Sequence, residues 1–78
     1  MEKSEILKKV GKRIKEVRLQ KGISQADLVG RMEGNIGATN ISRIEAGRTN
    51  PTVYTLFRIA EALEVNPKEL LDFDISQN

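Results

Sequence analysis

Apolar residues fall at Ile6, Leu7, Val10, Ile14 and Val17, in steps of three and four. Such spacing puts them on one stripe of an α-helix. The helix is expected over residues 4–21 and is closed by Gly22, a residue suited to the left-handed conformation that ends helices. Ser24 then opens Ser-x-x-Asp with Asp27, a reciprocal cap that starts a second helix at Gln25. Leu28, Val29 and Met32 form its inner face. Gly30 lies inside this helix and weakens it by roughly 1 kcal/mol relative to alanine. The segment EGNIGAT that follows has two glycines and little helical character. A third helix is expected over residues 38–46, with Ile41 and Ile44 inward and Gly47 at its exit.

Asn50-Pro51-Thr52 reads as a turn whose threonine caps a fourth helix, with Leu56, Ile59, Ala60 and Leu63 on the buried stripe. Asn66-Pro67-Lys68-Glu69 joins an N-cap, a proline at the first helical position and an acid in the first turn. This predicts a short fifth helix with Leu70, Leu71 and Phe73. Leu56, Ile59, Leu63, Leu70 and Leu71 read as core, and residues 74–78 as a frayed tail. No segment alternates as an exposed strand does, so the expected fold is a single all-α domain over residues 1–78. Two short helices joined by a turn, over about residues 24–46, suggest that one presents the other to a partner.

Composition narrows the chemistry. The 78 residues sit near the lower limit for a free-standing core, and with three aromatics that core is mostly Ile, Leu and Val. There is no cysteine and no histidine, which removes disulfides, thiolate nucleophiles and the commonest general base and metal ligand. With no phosphate loop and no acid pair placed for catalysis, no enzyme, metal or cofactor is expected. No apolar run approaches the ~20 residues of a membrane span, and no signal peptide is visible, so the expected location is the cytoplasm. The net charge of +2 is unevenly spread. Residues 1–21 carry eight Lys or Arg against three acids, and residues 51–78 two against five. A basic front and acidic rear permit a polyanion on one face and another partner on the other.

The stretches GKRIKEVRLQKGISQADL (11–28), ISRIEAGRTNPTVYTLFRIAEAL (41–63) and VNPKELL (65–71) together resemble the phage-repressor, lambda-repressor-like (Cro-type) helix-turn-helix family. The resemblance covers about residues 10–71. It implies a compact five-helix domain that binds the major groove of double-stranded DNA, usually as a two-fold dimer. EGNIGAT would be the turn between the backbone-crossing second helix and the groove-entering third. It is two residues longer than the family usually has, and Gly37 stands where a Ser or Thr normally caps the recognition helix.

Carried over position by position, the resemblance assigns base reading to Ala38, Thr39, Asn40 and Arg43. The chemistry fits: Arg can bond both guanine acceptors, Asn the adenine edge, and Ala or Thr methyls thymine. Phosphate contact is implied for Gln25, Ser42, Arg48, Thr49 and Asn50. Arg18 and Glu45 would form a partly buried ion pair tying the first helix to the end of the third. The bland alternative for most of these residues is a solvated helix face, which is the reading taken for Lys12 and Arg13. Phe73 and Ile75, in the acidic tail, are candidate dimer contacts or a cap over the core. The expected function is therefore a dimeric transcriptional regulator, most simply a repressor on an inverted repeat, with no small-molecule effector evident. A protein-interaction module that kept the fold and lost DNA binding is the competing reading.

Overall fold

The computed structural model describes residues 1–32 and 38–74, with Ala38 and Thr39 described by their backbone only. Gly37, the rest of the expected turn over 33–37, and Ile75 with the tail after it lie outside the described residues. Among the described residues four α-helices and one 3-10 turn follow in order: α1 Lys3–Gln20, α2 Gln25–Arg31, α3 Ala38–Glu45, α4 Val53–Leu63 and the 3-10 turn Pro67–Leu71.

Local sequence explains most of the boundaries. At α2 the Ser24 hydroxyl accepts from the Asp27 backbone N–H at 3.0 Å, and the Asp27 carboxylate accepts from the Ser24 N–H at 3.2 Å. Thr52 accepts from the Thr55 N–H at 3.0 Å and starts α4. Three helices end with paired bonds around a left-handed residue. Gly22 and Ile23 donate to Leu19 and Arg18, Gly47 and Arg48 to Ile44 and Arg43, and Glu64 and Val65 to Glu61 and Ala60. At α4 the left-handed position holds Glu64, with φ of 58°, although no glycine announces it.

Val10, Ile14, Val17, Ile23, Leu28, Met32, Ile41, Ile44, Ile59, Ala60, Ala62, Leu63 and Leu70 form one buried cluster. Every described element contributes to it, and α3 is held against both α1 and α2. The contact with α1 is unusually close. A Cβ on Gly11 would meet the Ile44 carbonyl oxygen and stand 2.5 Å from that of Glu45. Backbone against backbone leaves room for glycine alone.

Four expectations are corrected. The fifth helix is a single 3-10 turn: with Pro67 at its start and Asn66 capping Lys68 at 3.2 Å, its five residues are too few to establish the i→i−4 pattern. In that tighter winding Leu70 is fully buried while Leu71 turns outward and is 52 % exposed, so Leu71 is not core. Ile6 is exposed as well, because the first turn of α1 extends past the cluster. Arg13 is not merely a solvated residue. Its Nε donates to the Glu69 carbonyl at 2.7 Å and its Nη2 lies 3.4 Å from the Glu69 carboxylate, fastening α1 to the 3-10 turn.

Candidate nucleic-acid interface

α3 is amphipathic, and its two faces do different work. Ile41 and Ile44 are buried, at 0 % and 4 % exposure. Asn40, Ser42 and Arg43 are exposed, Ser42 and Arg43 turned away from that stripe and Asn40 at its flank. The end of α3 is fixed electrostatically. The Glu45 carboxylate, 8 % exposed, accepts from Arg18 Nε at 2.7 Å and from Arg18 Nη2 at 3.0 Å, a two-pronged pair. Arg18 Nη1 donates to the Ile23 carbonyl at 2.8 Å. Planar guanidinium geometry suits such forked bonding, and a point-like ammonium could not reproduce it.

Gln25 joins the same network. Its Nε2 donates to Glu45 Oε1 at 2.9 Å, which ties the first residue of α2 to the last of α3. One N–H is thereby engaged, leaving the second N–H and the amide oxygen for another partner. Gln25 is half-buried, so it stands at the rim of the α2–α3 junction. Sequence reasoning placed it on a phosphate and did not foresee its bond to Glu45.

Beyond α3, Arg48 and Asn50 are exposed and Thr49 is half-buried. Their backbone is set by Gly47, whose φ of 75° turns the chain out of the helix. Thus Asn40, Ser42, Arg43, Arg48 and Asn50 lie on one helix and its exit, with Gln25 bound to that helix's last residue. Phe73 is elsewhere. It packs half-buried against the core cluster.

Two short capped helices, the second presenting polar side chains while a buried ion pair locks its end, match a known pattern: residues 14–70 fit the helix-turn-helix family profile. The chain belongs to the helix-turn-helix family. Its relatives include an uncharacterized HTH-type transcriptional regulator, y4dJ, of Sinorhizobium fredii, 38 % identical over 64 residues that span 82 % of this chain and 80 % of that protein. The control protein C.BamHI of Bacillus amyloliquefaciens is 39 % identical over 64 residues, 81 % of this chain and 76 % of its own. Among solved structures, the crystal structure of the restriction-modification controller protein C.AhdI from Aeromonas hydrophila superposes with a TM-score of 0.75. The identity is 31 %, covering 82 % of this chain and 94 % of that one. This helix-turn-helix chain is all-helical among the described residues, and the proteins it resembles are an HTH-type transcriptional regulator, a control protein and a restriction-modification controller protein. No helix among the described residues is long and apolar enough to cross a membrane.

Proposed function

We propose that the protein is a sequence-specific, double-stranded-DNA-binding transcriptional regulator of the cytoplasm, acting as a homodimeric repressor on an inverted repeat. The observation that carries this reading is the exposed Asn40–Ser42–Arg43 face of α3, held at its end by the buried Arg18–Glu45 pair. Arg43 reads a guanine through O6 and N7, with Ala38, Thr39 and Asn40 as its neighbours on the base edges. Gln25, Ser42, Arg48, Thr49 and Asn50 contact phosphates and set the register, supplying most of the affinity and its salt dependence. Two of the relatives are control or controller proteins, one of them of restriction-modification, which supports that setting for this chain.

The dimer reading has its own support. Val53, Tyr54, Phe57 and Leu71 are 52–70 % exposed and adjoin one another along α4 and the 3-10 turn. They border two hollows that share Val53, Phe57 and Pro67, with Tyr54 lining one and Leu71 the other. A run of large apolar side chains of this kind marks an interaction surface. Arg58 lies over the Tyr54 ring at 5.7 Å, and its buried Nη2 has no hydrogen-bond partner among the described residues. A second copy related by a two-fold axis would cover this face and place two α3 helices in grooves one turn, about 34 Å, apart. Phe73, half-buried against the core cluster, would join the dimer contact from the tail.

Selection of duplexes from a random pool tests the function. Wild type is expected to enrich an inverted repeat, and Arg43→Ala to lose the enrichment while keeping its melting temperature. Recovery of no common sequence by the wild type would refute specific reading.

A further inference from the structure

α1 touches the exit of the recognition helix at a second point besides Gly11. A Cβ on Gly47 would stand 2.8 Å from both Cα and Cγ of Lys8, so the stem of Lys8 lies directly on Gly47. Beyond Cγ only two methylenes and the ammonium remain. Lys8 is exposed, and among the described residues it enters no ion pair, although Glu5 is only one turn away. The next residue after Gly47 is Arg48, also exposed. Two cations from distant parts of the chain therefore leave the fold at the same end of α3. One is fixed by the turn after that helix and the other by packing across it. Arg13, also on α1, is by contrast paired with Glu69 and Glu16.

We propose that Lys8 is a phosphate-contacting residue that extends the DNA interface from the helix-turn-helix onto α1. The proposal rests on the double-stranded DNA reading above and adds to it a contact outside the two-helix motif. Its ligand is a phosphodiester oxygen flanking the half-site, approached together with Arg48. A lysine serves here because the contact needs charge and reach, with no base edge to discriminate. Gly47 has a second reason to lack a side chain: any Cβ would push the Lys8 stem off the end of α3.

The test compares Lys8→Gln with Lys68→Gln, which removes the same charge from the 3-10 turn at the acidic end of the chain. Each full-length variant is titrated by fluorescence anisotropy across a salt series, on the selected duplex and on a scrambled one. Lys8→Gln should flatten the dependence of log affinity on log salt by about 1.8, about 0.9 for each protomer of the dimer. It should also weaken both duplexes by the same several-fold factor at ~150 mM salt, with an unchanged melt. Lys68→Gln should leave the slope unaltered, and Lys8→Arg should retain it. A Lys8→Gln slope equal to that of wild type, or a loss confined to the selected duplex, would overturn the proposal. If Arg43→Ala still abolished discrimination in that case, the DNA reading would stand and only the Lys8 contact would fall. A wild type that bound neither duplex would remove both.

Discussion

Truncating Glu45 to alanine removes three accepted hydrogen bonds at once: two from Arg18, at 2.7 and 3.0 Å, and one from Gln25 at 2.9 Å. Gln25 is half-buried and can turn to water. Arg18 cannot, because it is 6 % exposed and among the described residues retains only the Ile23 carbonyl. A buried charge stripped of its partner costs about 3–5 kcal/mol. A chain of 78 residues has a total stability of roughly 4–12 kcal/mol. The variant should therefore lose a large fraction of that stability, and its melting temperature should fall by roughly 12–24 °C at the lower bound of the cost. Far-ultraviolet circular dichroism reads the melt, and urea titration gives the free energy. The companion variant Arg18→Met/Glu45→Leu removes both charges and fills similar volume. It should recover most of the loss, since replacing a buried pair with apolar groups is often neutral. DNA affinity should follow the fraction folded in Glu45→Ala. A melt within about 4 °C of wild type would refute the argument, for Arg18 would then have found other solvation and the pair would not hold α3.

Gly11→Ala forces a methyl against the Ile44 and Glu45 carbonyls and should cost at least about 1–3 kcal/mol, measured by urea unfolding, with α3 displaced from α1. Asp27 is held below the ordinary carboxylate value, first by the Ser24 hydroxyl and then by the Ser24 backbone N–H. Its folded value is depressed, so the stabilisation is present above about pH 4 and is lost as pH falls through the folded value. Asp27→Asn should flatten that part of the acid unfolding curve in circular dichroism. Phe57→Asp, on the exposed face of α4, should leave the melt of the monomer unchanged and abolish self-association in sedimentation equilibrium; a variant that still dimerises would move the interface elsewhere.

The parts of this fold that could be read from sequence are those governed by residues three or four apart. Ser24 with Asp27, Thr52 before α4, Asn66 with Pro67, and the glycines at 22 and 47 each act on their own turn, so the pattern along the chain is the interaction itself. Arg18 and Glu45 are 27 residues apart and came into view only through resemblance. What stayed hidden is long-range and aperiodic. Nothing in the spacing of residues 1–21 distinguishes Gly11, pressed on the carbonyls of α3, from Gly30, which has nothing within 4 Å of its missing Cβ. Nor does it separate Arg13, bonded to Glu69 across 56 residues, from the solvated lysines beside it. Leu71 was misplaced because helical phase was counted at 3.6 residues per turn where the chain winds at three. The apolar face of α4 escaped notice because Val53, Tyr54 and Phe57 extend a buried stripe without a break, and only the packing tells which apolar residues are covered.

Whether Arg43 reads a base is decided by a thermodynamic cycle between protein and DNA. Affinities of wild type and Arg43→Ala are measured on the selected duplex and on duplexes with each G·C pair replaced in turn. One position, with its symmetry mate, should couple to Arg43 by about 1–3 kcal/mol, so that replacing that pair no longer matters once the arginine is gone. If Arg43→Ala instead weakened every duplex by the same factor, Arg43 would be a phosphate contact, and discrimination would have to come from elsewhere on α3 or from the shape of the DNA.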